Sequence, residues 1–434
     1  MARSKSTAIT ESIASVLPAA KIEAEARRLG VVRRQRKVDV FALVCTLVLA
    51  FQAGAERTLN GLREAYEQRT GDTLVRSAFN KRLSAQLASL LRSLALAALE
   101  SAAATGGAPS GILAGFKDLL AIDSTVLRLH RLLESKFRAC RTNHTKAAAK
   151  LHMVMSVLQG TPRHVKLTPE RTNDRTPWRR VGAWVKGMLL LFDLGYYSHH
   201  LFSMIDANGG FFLTRLKVNA NPLIVAVHRR WRGQSVPVVG RRLRDVLRDL
   251  QRQVLDVEVE VSFERRAYRG KRSKATQTFR LVAIRNAETK TYHCYLTNVA
   301  VDVMPAEDVT ATYALRWQVE ILFKAMKHHG HLDHLPSSKQ SVVECLIWAS
   351  VLSMMVSRAL FDEIRKAVPA DRAMPQLRWA SLFARVAQDV LELMLQPTHR
   401  LASRILAVLL HDAPDPNRRR QGRAMDGLVA WNPP

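Results

Sequence analysis

Apolar and polar positions change period twice along the chain. From residue 38 to about residue 104 the apolar positions follow helical spacing, and Gly106-Gly107-Ala108-Pro109 then breaks the pattern with a loop. Short apolar runs replace it at residues 119–127, 151–158, 165–168, 188–192 and 211–217, and these predict strands. Two of them, joined across Gly160-Thr161-Pro162, predict a hairpin in one sheet. Residues 178–185 and 200–207 read as short helices between strands. From 218 to 304 the pattern alternates at 254–263, 278–283 and 291–298, which predicts a β-rich insertion. Helical spacing returns over 313–327, 341–360 and 376–411, and the tail from 414 predicts disorder. The expected fold class is therefore α/β: a mixed-sheet core, interrupted by a β-rich insertion, between helical N-terminal and C-terminal regions. The expected boundaries are 1–108, 109–217, 218–304, 305–360 and 361–434.

Composition changes the picture through charge. Against 37 acidic residues stand 66 Lys and Arg in a chain of 434, a net charge of +29. Such an excess over the whole length points to a polyanionic partner, nucleic acid ahead of a membrane surface. The apolar run at 40–53 falls short of the ~20 residues a spanning helix needs, and the polar N-terminus carries no signal-peptide pattern. Cys45, Cys140, Cys294 and Cys345 are isolated and lack zinc-type spacing, which predicts reduced, buried thiols in a cytoplasmic protein.

Several segments suit DNA. The helix–turn–helix-like pair at 58–66 and 77–83 offers Asn80, Lys81 and Arg82, with Ser77 as a cap for the second helix; a plain helical hairpin fits the same pattern. The run from Arg265 to Lys274 predicts a basic hairpin tip suited to backbone phosphates. Trp231, Tyr268 and Tyr292 are candidates to stack on an unpaired base, core packing being the alternative.

The chemistry rests on three acids. Asp123 and Asp193 each close an apolar strand beside turn residues; either alone reads as a cap or turn former. Glu320 lies in the helix expected at 313–327, where Tyr313, Arg316, Glu320, Lys324 and Lys327 fall within an arc of about 80° on an exposed stripe. Leu315, Val319, Leu322, Phe323 and Met326 form the neighbouring apolar stripe. Three carboxylates in a basic protein suit hard cations such as Mg²⁺, which take oxygen ligands and leave room for phosphate. Two such ions activate water or a 3′-hydroxyl and stabilise the leaving oxygen. Histidines at 328, 329, 331 and 334 offer a rival metal site, but lack the i,i+4 pair of zinc hydrolases.

These motifs resemble the DDE transposases of bacterial insertion sequences, in particular the group called insertion-sequence family four. Tyr313, Arg316, Glu320 and Lys327 match its Tyr-x2-Arg-x3-Glu-x6-Lys signature without a gap. Asp123-Ser124-Thr125 resembles its first-Asp motif, and Asp193-Leu194-Gly195-Tyr196-Tyr197 with 212–217 its second-Asp region. The resemblance implies an RNase H-like core with an insertion between the second Asp and the Glu. It implies Mg²⁺-dependent cleavage (two ions, Mn²⁺ substituting) at terminal inverted repeats and strand transfer into target DNA, by a homodimer bound to two ends. It also implies phosphate contacts by Tyr313, Arg316 and Lys327; Arg215 and Lys324 join them as DNA-binding candidates. The competing readings are an RNase H-like nuclease or resolvase, and a catalytically silent DNA-binding protein derived from a transposase.

Overall fold

The computed structural model describes residues 2–33, 38–104, 109, 111–140, 145–178, 181–229, 236–265, 273–333, 335–369 and 371–416. Trp231, Tyr268, His334, most of the basic tip and the tail from 417 lie outside the described residues.

The chain opens with α1 (Ala2–Val16), α2 (Ala19–Arg28) and α3 (Val40–Leu49), so much of the polar N-terminus is helical. Asp39 starts α3 by accepting from Phe41 and Ala42 N–H groups, and all but one residue of this helix is buried. Next come α4 (Leu59–Thr70), α5 (Arg76–Arg82) and α6 (Ala85–Ala104). Gly71 ends α4 at φ 74°, a left-handed conformation that favours glycine. Ser77 does not cap α5: it lies inside the helix, and the cap position is Val75, which supplies no side-chain bond.

The strands β1 (Asp118–Leu129), β2 (Ala147–Ser156), β3 (Thr161–Pro169) and β4 (Met188–Phe192) follow. After α7 (His199–Ala207) come β5 (Phe211–Arg215), β6 (Leu223–Val227), α8 (Leu243–Asp249), β7 (Val254–Glu264), β8 (Lys274–Arg285) and β9 (Tyr292–Thr297). Neither β6 nor α8 is signalled by the alternating pattern. Among the described residues all nine strands form one sheet, ordered β3-β2-β1-β4-β5-β9-β8-β7-β6. β4 runs parallel to β1 and to β5, and the other neighbours are antiparallel. The strands of residues 218–304 therefore extend the core sheet through β9, rather than building a sheet of their own.

The C-terminal part holds α9 (Ala306–Ala314), α10 (Trp317–His328), α11 (Gln340–Ala367), α12 (Gln376–Leu395) and α13 (His399–Asp412). The segment 313–327 is thus not one α-helix. At Leu315 and Arg316 the backbone bonds tighten to i→i+3, Arg316 N–H donating to Tyr313 and Val319 N–H to Arg316. Every residue there is a fair helix former, so nothing in the sequence marks the change. α11 also runs through residue 360, the expected boundary.

One face of the sheet packs under a helical layer in which N-terminal and C-terminal helices share a single core; α6 packs along α11, and α1 along α11 and α13. α6 and α11 are long and apolar enough to cross a bilayer; α11 lies largely in this core, and α6 contributes one buried face to it. The opposite face is covered by α7, α8 and short turns. Cys45 and Cys345 are buried as expected, whereas Cys140 is exposed.

Candidate functional site

The parallel register of β1 and β4 sets the first two acids. Its last pair is Ile122 with Phe192, so Asp123 and Asp193 are the next residues on two neighbouring strands. Asp123 does not end its strand: β1 continues to Leu129 because residues 124–129 keep alternating and stay paired to β2. What ends at Asp123 is its partner β4. Side chains alternate between faces along a strand, so Asp123 shares the face of Leu119, Ala121 and Leu127, and Asp193 that of Leu189 and Leu191. α10 packs on this same face against β1 through Val319, Leu322, Phe323 and Met326 and brings Glu320 near enough for its charge to act on Asp123.

The capping explanation fails for Asp193. It occupies the N-cap position of the turn Leu194–Tyr196, yet its side chain makes no cap bond. Asp123 Oδ1 accepts the Ser124 N–H at 2.7 Å. Arg316 lies between the acids, donating to Glu320 Oε1 at 2.6 Å and standing 3.7 Å from Asp123 Oδ2. Burial pushes the Asp123 carboxyl up to about 6; the Ser124 N–H and Arg316 oppose that, while Glu320 and Asp193 add to it.

Tyr313 is buried at the end of α9 rather than exposed on a stripe. Its hydroxyl donates to the Phe192 carbonyl at 3.2 Å, where the Thr214 hydroxyl also donates. Both pin the strand end that delivers Asp193. The Arg316 guanidinium sits 5.9 Å from the Tyr313 ring, a cation over an aromatic face. Arg215 is exposed at the end of β5, near enough for its charge to act on Tyr313. Lys324 is exposed one turn beyond Glu320, and Lys327 is half-buried between Arg128 and Asp333, burial lowering its pKa. Asp123, Asp193, Glu320, Arg316, Tyr313 and Arg215 thus meet in one place, and Lys324 and Lys327 extend it along α10.

Sequence reasoning passed over Asp174, which accepts from the Ser124 hydroxyl, next in the chain to Asp123, and from Lys150. Its one signal is an acid in an otherwise Arg- and Asn-rich loop. Tyr292 proves to be anchored, its hydroxyl within 3.0 Å of the Leu250 and 2.5 Å of the Arg252 carbonyl. Among the described residues no three His, Cys, Asp or Glu side chains are gathered to chelate one ion, and the Arg316 guanidinium is the cation among the acids.

Carboxylates set where the parallel pairing of β1 and β4 stops, in a chain of net charge +29, suit a protein that works on a phosphate polyanion. The chain belongs to the transposase DDE domain family, whose model matches residues 114–356. It is similar to two transposases of Bacillus thuringiensis subsp. berliner. One, for insertion sequence element IS231B, is 22% identical over 388 residues, 82% of this chain and 80% of the relative. The other, for IS231C, is 22% identical over 420 residues, 90% of this chain and 86% of the relative. The solved piggyBac transposase synaptic complex with hairpin DNA aligns over 97% of this chain and 87% of its own, at 10% identity and a TM-score of 0.48. The chain is a DNA transposase of insertion-sequence type.

Proposed function

We propose that this transposase cleaves DNA at transposon ends and transfers the cut strand into target DNA, in a reaction dependent on Mg²⁺ (two ions, or Mn²⁺ in their place) held by Asp123, Asp193 and Glu320. The observation that carries the proposal is the meeting of Asp123 and Asp193, register neighbours on parallel strands, with Glu320 of α10 on one face of the sheet. The donor set suits a hard cation, since the carboxylate oxygens of Asp123 and Glu320 already hold one cation, the Arg316 guanidinium, between them. The bound ions would supply an activated water or 3′-hydroxyl and a Lewis acid for the leaving oxygen.

The protein's own side chains do the rest. Arg316 balances the acids in the free enzyme and is placed to turn to a phosphate as DNA arrives. Arg215, Lys324 and Lys327 hold the backbone near the cleaved end without competing as ligands. Tyr313 acts through Phe192, fixing Asp193.

The five-strand order β3-β2-β1-β4-β5, antiparallel on one side of β1 and parallel on the other, supports an RNase H-like core formed by residues 109–217 and 305–360. Residues 218–304 would be the insertion and 1–108 a DNA-binding region. The Tyr-x2-Arg-x3-Glu-x6-Lys spacing supports membership of insertion-sequence family four. A homodimer holding two terminal inverted repeats, cytoplasmic and on the nucleoid when bound to DNA, completes the reading.

The test is a cleavage and strand-transfer assay on DNA carrying the sequences that flank the coding region. Wild type is expected to cut and join in Mg²⁺, and Glu320→Gln to do neither. Cutting without joining would replace this reading with a nuclease.

A further inference from the structure

The loop after β3 carries an acid that no motif assigns, and its contacts lead to the catalytic cluster. Asp174 Oδ1 accepts the Lys150 ammonium at 2.8 Å and the Ser124 hydroxyl at 3.1 Å. The main-chain N–H of Ser124 in turn holds Asp123 Oδ1. On the other side, Asp174 Oδ2 and Asp193 Oδ2 lie 3.7 and 3.9 Å from where a Cβ on Gly195 would stand. Asp174 thus touches the setting of both catalytic aspartates.

Its surroundings are built. The Lys150 side chain is only 11% exposed and also reaches the Thr172 carbonyl, tying the loop to β2. Near Ser124 the buried Tyr196 hydroxyl stands 3.5 Å from His152, whose other nitrogen meets Thr168 Oγ1 at 2.9 Å. A surface ion pair adds little to stability. This pair is half-buried, and its bonds run toward Asp123.

We propose that Asp174 is a positioning residue for the transposition reaction: through Ser124 it fixes the Asp123 carboxylate for a divalent cation, and Lys150 keeps Asp174 itself from serving as a ligand. The proposal rests on the reading of Asp123, Asp193 and Glu320 as the metal-binding acids. Carboxylate ligands are oriented by the hydrogen bonds behind them, and losing such a partner weakens metal affinity or activity by roughly 10- to 100-fold. An ammonium 2.8 Å from Asp174 repels an arriving cation, so this acid orients rather than binds.

The experiment uses the full chain and two readouts. Binding of Mn²⁺ alone, without DNA, is followed by electron paramagnetic resonance, and cleavage of a plasmid carrying the element's flanking DNA is followed as Mg²⁺ is raised. Asp174→Asn replaces the charged acceptor of the Ser124 hydroxyl by a weaker neutral one and loses the charge that holds Lys150. It is expected to weaken Mn²⁺ binding and raise the half-saturating Mg²⁺ by about 10- to 100-fold, with cleavage at saturating Mg²⁺ within a few-fold of wild type. Ser124→Ala is expected to do the same, and the double variant no more than either alone, because both act on one link.

An unchanged metal requirement in both single variants would overturn the proposal. So would Asp174→Asn abolishing cleavage at every Mg²⁺ concentration, since that marks a ligand. A fall in melting temperature with unaltered Mn²⁺ binding would reduce Asp174 to a loop latch. If Glu320→Gln remains active, the reading of the site itself fails; if Glu320→Gln is dead and Asp174→Asn behaves as wild type, only this inference does.

Discussion

β1 carries two aspartates five residues apart, and they meet opposite fates. Asp118 is almost fully buried, with Oδ2 held by Arg163 Nε at 3.2 Å and Nη2 at 2.8 Å, and Oδ1 by the Ser156 hydroxyl and the Leu119 N–H, each at 2.8 Å. Asp123 is half-buried and holds one short hydrogen bond, a more distant Arg316 and two acidic neighbours. The same contrast recurs further along the sheet. Arg280 grips Asp256 with two nitrogens at 2.8 and 2.6 Å and donates to the carbonyls of Val299, Ala300 and Met304. Acids whose lone pairs are filled by the fold hold the fold. Asp123, short of such partners and beside two other acids, is what the proposed site would keep for a ligand that arrives later.

The comparison breaks most visibly in activity. Asp123→Asn should cut DNA cleavage by roughly 10³-fold or more, the loss of several kcal/mol of transition-state stabilisation. Its melting temperature should hold or rise, because mutual repulsion among the acids is relieved. A cleavage time course and a thermal melt on one preparation check both halves.

Asp118→Asn should do the reverse. Leaving Arg163 uncompensated costs about 3–5 kcal/mol of stability. Protein that remains folded should still cleave, which denaturant titration beside the cleavage assay would show.

A smaller effect depends on pH. His152 is fully buried, and burial, aided by Lys150 and Lys166 and opposed by Asp174, pushes its pKa from 6.5 down to about 4. With the folded value below the unfolded one, the unfolded chain takes up the proton first as pH falls. This contribution is complete above about pH 6.5 and is lost towards pH 4, about 3 kcal/mol in all. Stability curves of wild type and His152→Gln should converge by that amount over the window. Parallel curves would show that folding leaves the His152 pKa at its unfolded value.

The smallest effect sharpens the role of Tyr313. Tyr313→Phe removes one hydrogen bond to Phe192, about 1 kcal/mol. Activity should fall while the salt dependence of DNA binding stays as in wild type. A flatter salt slope would restore Tyr313 to the phosphate contacts.

Much of this was legible in the chain itself, because it depends on local periodicity. The β2–β3 hairpin, the apolar β4 ending at Asp193, and the apolar stripe that seats α10 all stand where the pattern puts them. What escaped depends on long-range pairing. Asp123 reads as a strand end because polar residues follow it, yet pairing with β2 carries β1 six residues further. Tyr313 reads as exposed because a uniform helix would place it beside Glu320; the tightened turn at Leu315–Arg316 and the Phe192 carbonyl draw it inward. Asp174 leaves almost no local signal, since its partners come from β1 and β2. Charge composition pointed to nucleic acid, but it does not distinguish Asp118 from Asp123.

The central claim is that Asp123, Asp193 and Glu320 bind the divalent cation that drives cleavage. Replacing one carboxylate by a thiol tests it most directly, because a thiolate binds Mg²⁺ poorly and softer ions better. Asp193→Cys should be inactive on transposon-end DNA in Mg²⁺ and regain cleavage in Mn²⁺, while Asp193→Ala stays inactive in both. Equal activity of Asp193→Cys in the two metals, or full activity of Asp193→Ala in Mg²⁺, would contradict the account.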